Sequence, residues 1–174
     1  MIVQESTDGG ADWTQKFITS AATRSGQSEL AILNNGDIGL LYNSFDPNTN
    51  KLSVHLVTTT NDFATTTDTT LATQSNSTPV TEGQPYLGDY SELRGVGNTF
   101  YGVFSASNAD NGTLADITNV SFQRSLTGTP GTPSFQLTDA SGHMVAPSID
   151  PFFFTETMPT PVANLIGVAP HLHA

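Results

Sequence analysis

Tyr86, Asp89, Tyr90 and Glu92 form the densest group of aromatic and acidic side chains in the sequence. Rings beside carboxylates suit a sugar, which stacks on the one and hydrogen-bonds through its hydroxyls to the other. The same residues also suit the start of a strand, with Asp89 capping a turn. A second candidate is Asp46-Pro47-Asn48-Thr49-Asn50, in which Asp46, Asn48 and Asn50 alternate as oxygen ligands do in a calcium loop. Lys51 stands where such a loop needs Gly, and Val57 where its closing Glu would be. A plain hairpin loop is therefore the first reading and a structural calcium site the second. Asp110-Asn111-Gly112 with Asp116 repeats that pattern less completely. His55 reads as a packing residue on a strand, and His171 and His173 would need further ligands to hold a metal. No cofactor is expected.

The elements that must position these residues are strands. No window keeps apolar residues at helical spacing over three turns without a Gly, a Pro or a run of Thr. Leu30 to Leu33, the turn Asn34-Asn35-Gly36-Asp37, and Ile38 to Tyr42 read as two buried strands in a tight hairpin. A second hairpin joins Ile38–Phe45 to Leu52–Val57 through the loop at Asp46 to Asn50. Leu93 to Val96, a turn at Gly97-Asn98 and Thr99 to Phe104 repeat the unit, and Asn119 to Arg124 gives a further strand. The segment Pro147 to Phe154 reads as a closing strand before a Pro-punctuated tail, so the expected organisation is one body over 1–157 and a tail over 158–174.

Charge narrows the partners. The 174 residues carry a formal net charge of -11, and the cations are Lys16, Arg24, Lys51, Arg94 and Arg124. Five scattered cations cannot build the basic stripe that phosphate binding needs, so nucleic acid is excluded as a partner. No stretch approaches the roughly 18 apolar residues of a membrane helix, and Met1 is followed by Ile2-Val3-Gln4-Glu5 rather than by a basic and then apolar leader. A soluble chain without membrane insertion is expected. Cysteine is absent, which removes disulfides and thiolate metal sites. Sequons at Asn76-Ser77-Thr78, Asn111-Gly112-Thr113 and Asn119-Val120-Ser121 would matter only in a secreted eukaryotic protein.

Ser6-Thr7-Asp8-Gly9-Gly10-Ala11-Asp12-Trp13 fits the pattern Ser-x-Asp-x-Gly-x-x-Trp at Ser6, Asp8, Gly10 and Trp13. Its physics is structural: Asp and Ser oxygens collect turn amides, Gly takes a conformation closed to side chains, and Trp covers the hairpin end. Weaker echoes follow at Thr59-Thr60-Asn61-Asp62-Phe63 and Ser125-Leu126-Thr127-Gly128, 53 and 66 positions further on in turn. Those spacings exceed the ~40 to 50 residues of common propeller blades, and loop insertions would cover the excess.

With this Asp-box, the chain resembles the sialidase-like, bacterial-neuraminidase-repeat β-propeller family. Gly26-Gln27-Ser28-Glu29-Leu30 leading into Ile38-Gly39-Leu40-Leu41-Tyr42 is similar to a stretch of that family, as is Tyr86-Leu87-Gly88-Asp89-Tyr90 followed by Gly97 to Phe104. The resemblance covers roughly residues 1 to 128. It implies an all-β fold, an incomplete β-propeller built from antiparallel four-stranded blades. Such rings have about six blades, so the chain would supply about half of one. Met1 stands just upstream of the Asp-box, where a strand should be under way, which points to truncation. Open sheet edges would then call for self-association or a missing partner segment.

The resemblance also implies a site. The family's mechanism uses an arginine cluster on the substrate carboxylate, a Tyr activated by a Glu as nucleophile, and an Asp as acid/base. Arg24, Arg94 and Arg124 are the three arginines available for such a clamp, with surface ion pairs as the alternative. Tyr90, Glu92, Asp89 and Arg94 are the catalytic candidates, and Tyr86, Tyr90 and the three arginines the binding candidates. Gln27 stands where the family places its catalytic Tyr, and an amide cannot act as a phenolate. The expectation is a glycan-recognising segment, extracellular or at a cell surface, with a glycan or glycoprotein as partner. Two alternatives remain: a glycoside hydrolase active only in the complete propeller, and an assembly protein that uses its sheet edges.

Overall fold

The computed structural model describes residues 1–75, 91–107, 120–121, 125–127, 136–138 and 149–159. These residues form strands, turns and bends and contain no helix. The strands are β1 (Ile2–Glu5), β2 (Thr14–Ile18), β3 (Arg24–Ile32), β4 (Ile38–Asp46), β5 (Lys51–Thr59), β6 (Thr67–Ser75), β7 (Glu92–Val96), β8 (Thr99–Ser107), β9 (Val120–Ser121), β10 (Ser125–Thr127), β11 (Gln136–Thr138) and β12 (Ile149–Thr157). They build two four-stranded sheets, ordered β3-β4-β5-β6 and β7-β8-β12-β9, and two two-stranded ribbons, β1-β2 and β10-β11. Every ladder is antiparallel.

The sheet β3-β4-β5-β6 lies in the middle of a stack, which explains why β4 reads as an unbroken apolar run. A strand buried on both faces has no polar side to alternate with. Leu40 and Tyr42 point to one face and pack with Val57 and Phe63 against Met1, Val3 and Phe17 of the β1-β2 ribbon. Leu41 points to the other face, where Val54, Leu56, Leu71 and Ala72 meet Leu93, Phe100, Phe104, Phe152 and Phe154 of the far sheet. Those four phenylalanines are almost fully buried. Gly39 makes their approach possible, since a Cβ there would lie 2.9 Å from Cε1 of Phe100.

The three hairpins read from the sequence are present. Leu33 and Asp37 close the first, with the Leu33 amide 2.8 Å from the Asp37 carbonyl oxygen and Gly36 at φ +90°. Its first strand starts at Arg24, six residues earlier than the apolar run suggests, because a bulge between Gly26 and Glu29 carries the ladder through a polar stretch. The second hairpin pairs β4 with β5 from Ile38↔Thr59 to Asp46↔Lys51, and the third pairs β7 with β8. The strand read at Asn119 to Arg124 is present at Val120–Ser121, and its other residues lie outside the described ones.

One expectation needs correction. Ser125-Leu126-Thr127 is not a turn: it forms β10 and pairs with β11 from Ser125↔Thr138 to Thr127↔Gln136. The reason is visible in the residues, since Thr127 stands two positions after Ser125, where Ser6 and Thr59 are followed by Asp8 and Asn61. The strand read before the tail is present as β12, the last strand in chain order, and it lies inside its sheet between β8 and β9. Pro151 lies opposite Ser105 of β8. Met158, placed at the start of the tail, is buried and exchanges hydrogen bonds with Asn98 at 2.8 and 3.1 Å.

Candidate functional site

The turn between β1 and β2 closes as its residues require. Ser6 Oγ accepts from the Gly10 amide at 2.8 Å and donates to Asp8 Oδ1 at 2.7 Å. Both Asp8 oxygens lie 3.0 Å from the Asp12 amide. The Trp13 indole N–H donates to the Gly10 carbonyl at 3.1 Å, while the ring is 59% exposed. Gly10 sits at φ +96°, where a side chain would be strained. The Asp12 amide and then the Ser6 hydroxyl hold the Asp8 carboxyl below its usual value of 3.8.

The turn between β5 and β6 repeats this network. Thr59 Oγ1 donates to Asn61 Oδ1 at 3.0 Å and accepts from the Phe63 amide at 3.1 Å, and Asn61 Oδ1 accepts from the Thr65 amide at 2.9 Å. Each donor and acceptor matches its counterpart in the first turn at an offset of 53 positions. Asp62 and Phe63 take positive φ where Gly9 and Gly10 do. Lys16 joins the two turns, with its ammonium 2.9 Å from Glu5 and also hydrogen-bonded to Asp62.

The bulge of β3 gathers neutral polar groups beside the start of β7. Gln27 is held at φ +51° in the bulge, a left-handed conformation that concentrates at functional positions. Its Oε1 accepts from Asn43 Nδ2, and its carbonyl accepts from Ser91 Oγ at 3.4 Å. Glu92 and Arg94 follow on β7 and pair with each other at 2.6 Å, both well exposed. Arg24 opens β3, whereas β7 reaches the other end of that strand, with Gly95 against Leu33 and the Ile32 carbonyl. Arg24 and Arg94 thus stand at opposite ends of β3. Tyr86, Asp89, Tyr90 and Arg124 lie outside the described residues, as do the three sequon asparagines, Asp110 to Asp116, His171 and His173.

A chain of side chains that sequence reading did not find crosses the middle sheet. Ser44 Oγ on β4 is 3.0 Å from His55 Nε2 on β5, and His55 Nδ1 is 3.0 Å from Asp68 Oδ1 on β6. The Tyr42 ring stacks on the imidazole at 4.9 Å. Burial first, and the Asp68 charge second, push the Tyr42 phenol up to about 12. The order of the three groups is that of a serine hydrolase relay. Ser44, however, is only 8% exposed, and its hydroxyl ties neighbouring strands together. Only the strand register brings these residues to one face, so no local motif announces them.

At Asp46 both carboxylate oxygens serve the hairpin, Oδ1 accepting from the Asn48 amide at 2.9 Å and Oδ2 from the Thr49 hydroxyl at 2.8 Å. The Asn48 amide, followed by the Thr49 hydroxyl, lowers the pKa of this group. Asn50 completes the loop at φ +53°. Among the described residues no three His, Asp or Glu side chains converge on one metal position. An open cleft of about 250 Å³ lies at the far end of β5 and β6, lined by Thr58–Thr60, Thr65–Thr67 and Met158. Its walls offer hydroxyls and a thioether, with no ionisable group. The chain matches no family model, no curated protein and no solved structure.

Proposed function

We propose that this chain is a sialidase-like β-propeller segment that recognises a glycan without hydrolysing it, outside the cell or at its surface. Gln27 carries the reading. It takes the place of the family's nucleophilic Tyr, and its side-chain oxygen is engaged by Asn43. An amide and hydroxyl cluster beside a self-paired Glu92–Arg94 couple can hydrogen-bond sugar hydroxyls, but it offers no activated nucleophile. The repeated turn at Ser6 and Thr59 supports the blade reading, because it marks equivalent hairpins of consecutive sheets. Tyr86 and Tyr90, immediately upstream of Ser91, would supply the stacking faces.

Binding to a panel of sialylated and neutral glycans tests the reading. Gln27→Ala and Tyr90→Ala should each weaken binding about tenfold or more, as removal of a central contact does. A fluorogenic sialoside should show no turnover. Turnover abolished by Tyr90→Phe or Arg94→Ala would establish a hydrolase instead, and silence across the panel would remove the glycan reading.

A further inference from the structure

We infer that the cleft where β5 ends and β6 begins binds one pyranose ring of a neutral sugar, at a site separate from the Gln27 cluster. Strand alternation builds it. Val54 and Leu56 of β5 turn toward the far sheet and belong to the apolar seam, and Thr58 is the next side chain in that row. Thr67 stands opposite it on β6. The seam thus changes from hydrocarbon to hydroxyl within one step of the strand, and the cleft of about 250 Å³ opens at that change. Met158, just past the end of β12, forms the wall on the side of the far sheet. Its main chain is fixed by the two hydrogen bonds with Asn98, and the residue is buried.

A pyranose carries C–H groups on its faces and hydroxyls around its rim. The Met158 thioether and the threonine methyls offer an apolar surface to the one, and the threonine hydroxyls offer donors and acceptors to the other. Thr60, Thr65, Thr66 and Thr67 are exposed, so a ligand reaches them without any opening of the sheets. Thr65 is oriented in advance. Asn61 Nδ2 donates to its Oγ1 at 2.9 Å, and Asn61 is held in turn by the Thr59 hydroxyl. A hydroxyl that accepts such a bond donates its own proton more strongly. The volume falls below the ~300–1,000 Å³ of pockets for drug-sized ligands, which sets the ligand at a single ring.

Charge selects a neutral sugar over an acidic one. None of the residues lining the cleft is ionisable. The carboxylates that flank the threonines are engaged elsewhere, Asp62 with Lys16 and Asp68 with His55. An acidic sugar would find no cation in these walls to replace the water around its carboxylate, and it would approach a chain of net charge -11. A neutral ring gives up only the hydration of its hydroxyls, which the threonines return. Gln27 is elsewhere on the same sheet: it bonds to Asn43, whose partner on β5 is Val54, four residues along from Thr58.

Methyl NMR of the whole chain, labelled with carbon-13 at its methionines, tests this. Met158→Leu identifies the Met158 signal. The probes are the methyl glycosides of glucose, galactose, mannose and N-acetylglucosamine, with N-acetylneuraminic acid as the acidic counterpart. The expected result is a saturable shift of the Met158 signal with at least one neutral glycoside and none with the acid. Thr66→Val and Thr67→Val keep the branched shape and remove one hydroxyl each, and each should weaken binding about three- to tenfold. Thermal melts check that both variants fold. A Met158 signal unmoved by all four neutral glycosides overturns the inference. So does an equal response to N-acetylneuraminic acid, or an affinity that both valine variants leave unchanged. Gln27→Ala should leave the Met158 response intact. A Met158 response without binding to the glycan panel sinks only the Gln27 reading, and panel binding that depends on Gln27 with Met158 unmoved sinks only this one.

Discussion

Phe63 holds in the second turn the backbone position that Gly10 holds in the first. Both have positive φ, +63° and +96°, and both donate their amide to a hydroxyl four residues earlier. A bulky residue in that conformation costs ~1–2 kcal/mol. The offsetting gain is packing, for the Phe63 ring is buried against Phe17.

Exchanging the residue types should therefore destabilise both positions, for different reasons. Gly10→Ala should lose ~1–2 kcal/mol, because Ala lacks the conformational freedom the turn requires. Phe63→Gly should relieve a similar strain yet forfeit ~3–5 kcal/mol of packing, a net loss. Urea midpoints at constant slope measure both. A stabilised Phe63→Gly would show that the ring contributes nothing to the junction.

The seam between the middle and far sheets depends on Gly39. A Cβ at 2.9 Å from the Phe100 ring forces one sheet to shift, so Gly39→Ala should cost ~1–3 kcal/mol. Shortening the ring by Phe100→Leu in the same chain should return part of that loss, giving a coupling energy of ~0.5–3 kcal/mol. Strict additivity in a double-mutant cycle would refute direct contact.

Two groups set pH limits. The folded pKa of Asp8 lies below 3.8, so its contribution is complete above the free value and is lost as pH falls through the folded one. Asp8→Asn should flatten the acid limb of the stability profile, and an NMR titration of the Asp8 carboxyl at or above 3.8 would count against the turn. Tyr42 works at the other limit. Its phenol is raised to about 12, so its contribution is full below 10 and disappears as pH climbs toward 12. Absorbance at 295 nm should contain a component near 12 that Tyr42→Phe removes.

The Ser44–His55–Asp68 chain should behave as a strap. His55→Phe leaves the buried Ser44 hydroxyl without its imidazole partner and should cost ~1–3 kcal/mol. Adding Ser44→Ala to that variant should recover part of the loss. Thermal melts of the two single variants and the double variant decide it, and a double loss equal to the sum would mean that the two residues act independently.

Much of this architecture was legible in the sequence because its signals are local. Asn35-Gly36, Gly97-Asn98 and the apolar run of β4 mark their hairpins without outside help. β6 was not read, since its Thr67-Asp68-Thr69-Thr70 start is exposed and only Leu71, Ala72 and Gln74 are buried. The turn at Thr59 was legible as an echo of Ser6, but its equivalence in hydrogen bonding required coordinates, because Thr, Asn and Phe replace Ser, Asp and Gly. The side-chain chain through His55 depends on the register of three strands and has no sequence signature at all. Among the sugar-site candidates, Glu92 and Arg94 are seen to pair with each other, a choice that spacing two apart on a strand permits but does not dictate.

The layering has one more consequence. The β1-β2 ribbon rests on the middle sheet through the small cluster of Leu40, Tyr42, Val57 and Phe63, whereas the far sheet is held by four nearly inaccessible phenylalanines. Unfolding free energy in such an array is a sum over neighbouring layers, and the weakest terminal layer opens first. Amide protons of Val3 and Phe17 should exchange by detachment of the ribbon alone, well before those of Phe104 and Phe152, which wait for global opening. Lys16 adds a small share to the cost of that first event, as the cation shared between Glu5 on the ribbon and Asp62 on the layer beneath.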